Sequence, residues 1–84
     1  MSSELETQVT TLVAETIHES TGLEVDLTPE TALIDEGYLD SLTVLQLFAK
    51  LQESFEIELD MDDLTEESFG STKGIAALVA ERRG

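Results

Sequence analysis

The sequence contains no cysteine among its 84 residues, which excludes disulfide bonds and thiolate metal sites. Its single histidine leaves zinc without the several nitrogen or sulfur ligands that it needs. No apolar run approaches the roughly 20 residues that cross a membrane. The first residues, MSSELETQV, lack the basic start and the apolar stretch of a secretory signal. We therefore expect a soluble cytoplasmic protein whose folding depends on packing alone.

Basic residues are also scarce. Four Lys and Arg face nineteen Asp and Glu, which gives a formal net charge of −15. Binding to nucleic-acid phosphates requires clustered Lys and Arg, so this class of function is excluded. The charge argues against an anionic membrane surface for the same reason. It favours partner proteins with basic surfaces, and solubility alone is the alternative explanation.

Apolar side chains recur at helical spacing along much of the chain. The first predicted helix follows a cap at Ser2 or Ser3 and ends at Gly22. The central predicted helix begins near Ser41 and runs to about Phe55. Its predicted core face consists of Val44, Leu45, Leu47, Phe48, Leu51 and Phe55. A face this wide indicates a central helix that touches several others.

Two further helices are predicted in the last third of the chain. A short one covers Asp60 to Glu67, with Asp60 or Asp62 as its cap. The last one follows a cap at Ser71 or Thr72 and presents apolar residues to the core. The fold class is therefore all-α, with three substantial helices and one short helix in one domain.

Residues 21–40 form a long connection, in which one short turn is predicted at Thr28-Pro29-Glu30. The apolar residues expected to anchor it to the core are Leu23, Val25, Leu27, Leu33 and Ile34. Apolar and polar residues alternate at 23–27 and again at 55–59, which is also the pattern of a short strand. Because an isolated two-stranded ribbon is marginal, we favour extended linkers over strands.

Independent catalysis is not expected. None of the five glycines brackets a serine as in G-x-S-x-G, and a Ser–His–Asp arrangement would need His18 from another helix. His18 lies in the last turn of the first predicted helix, where a positive charge is favourable, and this position explains it better than a catalytic role. Asp60, Asp62 and Asp63 cluster, but the glycine and glutamate of an EF-hand loop are missing from the positions that follow. We predict no catalytic residue and no metal site.

The segment Gly37-Tyr38-Leu39-Asp40-Ser41-Leu42 places a serine hydroxyl, preceded by an acid, where the central helix starts. One explanation is structural, because Asp-Ser before an apolar-periodic run is a common N-cap signature. The other is functional, because a helix N-terminus offers free N–H groups to a phosphate ester on Ser41. No base lies close in sequence, so Ser41 would be a passive attachment point for another enzyme.

Asp40-Ser41-Leu42 resembles the Asp-Ser-Leu attachment motif of acyl and peptidyl carrier proteins. The resemblance extends to the helix order, the long loop and the acidity of the chain. It implies a small four-helix bundle in a single carrier domain, residues 1–84. It also implies that Ser41, with Asp40 beside it, receives 4′-phosphopantetheine from coenzyme A. The cargo would be a thioester on the terminal thiol of that arm.

The resemblance further implies a succession of partner enzymes for a monomeric carrier. These are a phosphopantetheinyl transferase, an adenylating (loading) enzyme or acyltransferase, and a downstream synthase or transferase. Each visit must be brief, so docking should be weak and electrostatically steered. The predicted docking residues are Leu42, Thr43, Gln46 and Lys50, which lie beside Ser41 on the arc that the core does not need. Leu42 is the expected apolar anchor.

The exposed side of the central helix departs from that of fatty-acid carriers, which is strongly acidic. Here Gln46, Lys50 and Glu53 contribute a single carboxylate. The spelling Gly-Tyr-Leu-Asp-Ser looks more like D-alanyl and other aminoacyl carriers. We expect a free-standing carrier that an adenylating enzyme loads with an amino or other carboxylic acid for specialised biosynthesis. The alternatives are a polyketide or fatty-acid type acyl carrier and, from another class, an unmodified acidic interaction module.

Overall fold

The computed structural model of the protein describes residues 2–28 and 30–83, with side chains from residue 4 onward. Its elements in chain order are α1 (Ser2–Thr21), α2 (Ser41–Phe55), a 3₁₀ turn (Met61–Asp63), α3 (Glu66–Phe69) and α4 (Thr72–Arg83). No strand occurs within the described ranges, so the predicted all-α bundle is confirmed. The side chains of Ser2 and Ser3, predicted as caps, and the predicted turn residue Pro29 lie outside what is described.

The core lies between the three long helices. On α1 the fully buried residues Val9, Val13 and Ile17 are four positions apart, which places them on one face of the helix. This face packs against both α2 and α4, and α3 packs against α4. The other helices supply Leu47, Leu51, Phe69, Ile75, Leu78 and Val79 to the core. Each fully buried side chain of this size contributes about 1.5–3 kcal/mol to the free energy of folding. None of the helices in the described ranges is long and apolar enough to cross a membrane.

Two features end α1 and begin α4 as the sequence indicates. Gly22 has a left-handed φ of 79°, and its N–H donates to the carbonyl oxygen of His18 at 2.7 Å. At the other helix, the hydroxyl oxygen of Ser71 accepts from the N–H of Gly74 at 3.1 Å. The predicted boundary at Gly22 and the predicted cap at Ser71 are therefore confirmed.

The connection between α1 and α2 is anchored to the core. Leu33 is fully buried, and its N–H donates to the carbonyl oxygen of Gly70 at 2.7 Å, just before α4. Three other predicted anchors, Val25, Leu27 and Ile34, are half-buried against the core. The prediction for Leu23 is wrong, because its side chain is 55% exposed. Residues 23–27 and 57–59 are linkers rather than strands, as favoured from the sequence.

The predicted single helix over 60–67 is wrong, because this stretch contains a 3₁₀ turn and then the start of α3. The carboxylate of Asp63 accepts from the N–H of Asp60 at 2.9 Å and thereby closes the 3₁₀ turn. A new cap follows at once, since the hydroxyl oxygen of Thr65 accepts from the N–H of Ser68 at 3.1 Å. Two successive caps with their own side-chain bonds divide the stretch into two elements.

Candidate functional site

The chain is fixed firmly just before the predicted attachment motif. The carbonyl oxygen of the buried Leu33 accepts from the N–H groups of Tyr38 and Leu39, at 2.9 and 3.3 Å. Between these points Gly37 has a φ of 80°, a left-handed conformation that favours glycine. Leu39 itself is only 6% exposed. The anchored residue Leu39 therefore immediately precedes Asp40 in the chain.

Asp40 is the N-cap of α2. Its Oδ1 accepts from the N–H of Thr43 at 2.8 Å, and its carbonyl oxygen accepts from the N–H of Val44 at 2.9 Å. The hydrogen bond from the Thr43 N–H holds the pKa of the Asp40 carboxyl below its ordinary value of 3.8. The structural explanation of the Asp-Ser pair is therefore correct for Asp40, which is ionised at neutral pH and fixes the first turn of α2.

Ser41 is the first residue of α2, and it is exposed. Its hydroxyl has no hydrogen-bond partner among the residues that the structure describes. An attachment residue needs such an accessible oxygen, since the enzyme that modifies it must reach it from solvent. The exposed hydroxyl at the start of a helix is chemically suited to carry a phosphodiester, because peptide N–H groups and the helix dipole favour negative charge there.

Thr43 is not on the exposed arc of α2, and this prediction from the sequence is wrong. Its side chain is fully buried, and its hydroxyl shares a hydrogen bond of 2.9 Å with the hydroxyl of Ser20 at the end of α1. The last turn of α1 covers this edge of α2. Thr43 therefore cannot contact a docked partner.

The exposed face of α2 is more apolar than the sequence indicates. Leu42 is 61% exposed, as predicted, but Leu45 is 51% exposed although it was assigned to the core. Gln46, the next residue after Leu45, is also exposed. Lys50 is half-buried and forms an ion pair with Glu19. Sequence reasoning missed Leu45 because it assigned this leucine, unlike Leu42, to the core face. On the helical wheel Leu45 and Thr43 lie at opposite edges of the apolar face, and the local pattern does not show which edge a neighbouring helix covers.

Charge is distributed unevenly around Ser41. Residues 41–52 contain no carboxylate, and the one cation there, Lys50, is neutralised by Glu19. The exposed face of α2 next to Ser41 is therefore without net charge. The neighbouring connection carries the exposed acids Glu24, Asp26, Glu30, Asp35 and Glu36. A partner that approaches Ser41 meets an apolar helix face beside an acidic loop.

Comparison with known proteins gives consistent matches over most of the chain. The family model described as phosphopantetheine attachment site matches residues 8–79. An acyl carrier protein of Desulforapulum autotrophicum is 33% identical over 60 residues, which cover 70% of this chain and 74% of that protein. Aminoacyl carrier protein 2 of Bradyrhizobium diazoefficiens is 26% identical over 72 residues, which cover 86% of this chain and 80% of that protein.

A solved structure shares the fold. The crystal structure of Bradyrhizobium japonicum glycine:[carrier protein] ligase complexed with glycylated carrier protein contains a chain that matches with a TM-score of 0.74. The match covers 88% of this chain and 96% of that one, at 22% sequence identity. At that identity the likeness establishes the arrangement of helices and nothing finer.

Proposed function

The chain belongs to the family of phosphopantetheine attachment-site domains, and from this premise we propose that it is an aminoacyl carrier whose attachment residue is Ser41. Members of this family carry 4′-phosphopantetheine covalently and generally perform no catalysis themselves. The observation that supports the residue is the exposed, unpartnered hydroxyl of Ser41 at the start of α2, directly after the capping Asp40. The group supplies the thiol that this cysteine-free chain lacks.

The proposed modification needs little from the chain itself. The Ser41 oxygen attacks the coenzyme A phosphorus that bears the pantetheine, and a new phosphodiester bond forms. The bond from that phosphorus to adenosine 3′,5′-bisphosphate breaks, and the leaving group takes the electron pair. The hydroxyl proton goes to a base of the transferase. Asp40 holds the helix start in place during this exchange through its bond to the Thr43 N–H.

Four observations support an aminoacyl cargo and an adenylating ligase as the loading partner. The Gly-Tyr-Leu-Asp-Ser spelling at 37–41 is similar to aminoacyl carriers, and α2 lacks the acidic face of fatty-acid carriers. One relative is named aminoacyl carrier protein 2, and the matching solved chain was crystallised as a glycylated carrier with its ligase. The structure is consistent with the missing acidic face, because the surface of α2 beside Ser41 carries no net charge.

We assign the docking surface to Leu42, Leu45, Gln46 and Lys50. The two leucines are more than half exposed and lie within two turns of Ser41. Thr43, which the sequence placed in this set, is excluded by its burial. Partners of this surface would present an apolar patch to α2 and basic residues to the acidic connection, because such a partner complements both parts of the surface.

An acyl cargo is the second candidate. It is favoured by the acyl carrier protein of Desulforapulum autotrophicum, which at 33% is more similar in sequence than the aminoacyl carrier at 26%. Both candidates use the same attachment residue. They differ in the loading enzyme, which is an adenylating ligase in one case and an acyltransferase in the other.

Intact mass tests the attachment residue. The purified protein is incubated with coenzyme A and a promiscuous phosphopantetheinyl transferase. We expect wild type to gain the mass of one phosphopantetheine group and Ser41→Ala to gain none. Ser54→Ala is the matched control, because Ser54 is an exposed serine at the other end of α2. No gain in wild type, or an equal gain in Ser41→Ala, rejects the proposal and leaves the unmodified interaction module.

A second experiment separates the two cargoes. The phosphopantetheinylated protein is offered amino acids with ATP and adenylating ligases, and in parallel acyl donors with acyltransferases. Mass spectrometry then measures which group is added. We expect aminoacylation that is lost on treatment with hydroxylamine, which cleaves thioesters. Loading by the acyltransferases alone would establish the acyl carrier instead.

A further inference from the structure

Ser20 and Thr43 connect the end of α1 to the first turn of α2. Their hydroxyl groups are 2.9 Å apart, and Thr43 is fully buried. A buried hydroxyl that loses its partner costs about 1–3 kcal/mol, so this contact strongly favours one rotational setting of α2 against α1. The ion pair between Lys50 and Glu19 joins the same two helices two turns further along α2.

Thr43 also connects α2 to the residue before Ser41. Its backbone N–H donates to Oδ1 of Asp40 at 2.8 Å, while its side chain faces Ser20. One residue therefore joins the end of α1, the end of the long connection and the start of α2. Ser41 lies between Asp40 and Thr43 in the chain, so these two hydrogen bonds hold its backbone at the start of α2.

We infer that Ser20 and Thr43 are positioning residues, which hold Ser41 in the orientation that the modifying enzyme requires. This inference rests on the proposed role of Ser41. Thr43 is buried and cannot contact a docked enzyme, so it acts through the backbone of α2 and through Asp40. Displacement of a reacting group by about 1 Å can reduce a rate up to about 100-fold, and a loosened first turn would move the Ser41 oxygen on that scale.

Two substitutions of Thr43 separate its hydroxyl from its methyl group. Thr43→Val keeps the shape and removes the hydroxyl, whereas Thr43→Ser keeps the hydroxyl and leaves a small cavity. The steady-state rate of phosphopantetheine transfer is followed by intact mass at several carrier concentrations. We expect Thr43→Val to lower kcat about tenfold with KM nearly unchanged. Thr43→Ser should keep kcat close to wild type, although its melting temperature also falls.

Ser20→Ala tests the other end of the contact and remains informative if Thr43→Val does not fold. We expect the same loss of kcat from Ser20→Ala, and no further loss when both substitutions are combined, because they break one bond. Thr16→Val is the matched control. Thr16 is also fully buried on α1, but its hydroxyl donates to the carbonyl oxygen of Leu12 within the same helix. This control should lower the melting temperature and leave kcat unchanged.

Several results would overturn the inference. It fails if Thr43→Val and Ser20→Ala are modified at the wild-type rate, or if Thr43→Ser loses as much kcat as Thr43→Val. It also fails if Thr16→Val lowers kcat equally, since stability alone would then explain the effect. These outcomes leave Ser41 as the attachment residue. If wild type gains no mass, or gains it at a residue other than Ser41, the proposed function and the inference fall together.

Discussion

The hydroxyl of Thr72, at the start of α4, donates a hydrogen bond to the carbonyl oxygen of Thr28 at 3.0 Å. The two residues are 44 positions apart, and Thr72 is fully buried. Together with the bond from the Leu33 N–H to the Gly70 carbonyl, this contact holds the long connection against the α3–α4 junction. The connection leads directly to Ser41. The contacts that hold the connection against the bundle therefore also help to hold Ser41 in place.

Removal of this contact should destabilise the protein without changing its core volume. We expect Thr72→Val to lower the free energy of unfolding by about 0.5–1.5 kcal/mol, because the Thr28 carbonyl oxygen loses one of its two donors and keeps the N–H of Thr31. Urea unfolding monitored by circular dichroism measures the change. Thr72→Ser should recover the part that depends on the hydroxyl. The interpretation is wrong if serine is the more destabilising of the two, since the methyl group would then be the important part of the side chain.

The Asp40 cap predicts a definite pH dependence. The folded-state pKa of Asp40 lies below its ordinary value of 3.8, because its carboxylate accepts from the Thr43 N–H. A lowered pKa contributes stability that is fully present above the unfolded value and is lost as the pH falls through the folded value. Asp40→Asn keeps a capping side chain and removes the charge. The difference in unfolding free energy between wild type and Asp40→Asn should therefore shrink between about pH 6 and about pH 3.

Asp26→Asn controls for the loss of one negative charge from this acidic chain. Asp26 is exposed in the connection and lies outside the cap. Urea unfolding of the three proteins across the same pH range gives the comparison. A difference for Asp40→Asn that stays constant, or that widens towards acid, would contradict the assigned role of the carboxylate.

The bounds of α2 and its cap could be predicted from the sequence. Which side of the helix is buried could not. Residues 41–55 combine an Asp-Ser start with an apolar period, and both signals are local. The side that is buried depends on which neighbour covers each edge of the apolar face. The end of α1 covers the edge at Thr43, so this threonine is buried and Leu45 at the opposite edge is exposed. Nothing in the local pattern encodes this contact between residues 23 positions apart.

The end of α2 shows a second limit of the sequence pattern. The alternation at 55–59 is the pattern of a strand, and a linker was favoured only because an isolated ribbon is marginal. Residues 57–59 are a linker, but the pattern gave no sign of the left-handed residue that precedes it. Glu56 has φ 54° and ψ 50°, and its N–H donates to the carbonyl oxygen of Gln52. Glycine is the usual residue at such a position, and its absence hid the turn. The bond from the Leu59 N–H to the Gln52 side chain then directs the linker along the bundle.

This left-handed residue leads to a stabilising substitution. A left-handed conformation costs an L-residue about 1–2 kcal/mol, and glycine avoids most of this cost. We expect Glu56→Gly to raise the free energy of unfolding by about 0.5–1 kcal/mol, since the greater freedom of glycine in the unfolded chain offsets part of the gain. Thermal and urea unfolding measure it.

Two controls separate conformation from charge at this position. Glu56→Ala removes the same carboxylate from the end of α2 but retains the strained backbone. Glu58→Gly introduces glycine two residues further on, where the φ angle is not positive. Neither should stabilise the protein as Glu56→Gly does. An equal gain from Glu56→Ala would assign the effect to charge repulsion in a chain of net charge −15 instead.

The exposed leucines of α2 should affect binding rather than the chemical step. Leu42 and Leu45 are 61% and 51% exposed, so truncation to alanine leaves the core intact and should change stability by less than about 0.5 kcal/mol. If they anchor the transferase, each truncation removes about 1–2 kcal/mol of contact energy, which corresponds to a KM increase of about tenfold. The expected pattern is a raised KM with an unchanged kcat, the reverse of that for Thr43→Val.

Met61→Ala is the control, because Met61 is 67% exposed but lies in the 3₁₀ turn, outside both α2 and the acidic connection. The assignment of the docking surface is wrong if Met61→Ala raises KM as much as Leu42→Ala, because any exposed apolar side chain would then have the same effect. It is equally wrong if all three variants keep the wild-type KM, since the transferase would then reach Ser41 without contacting the apolar face of α2.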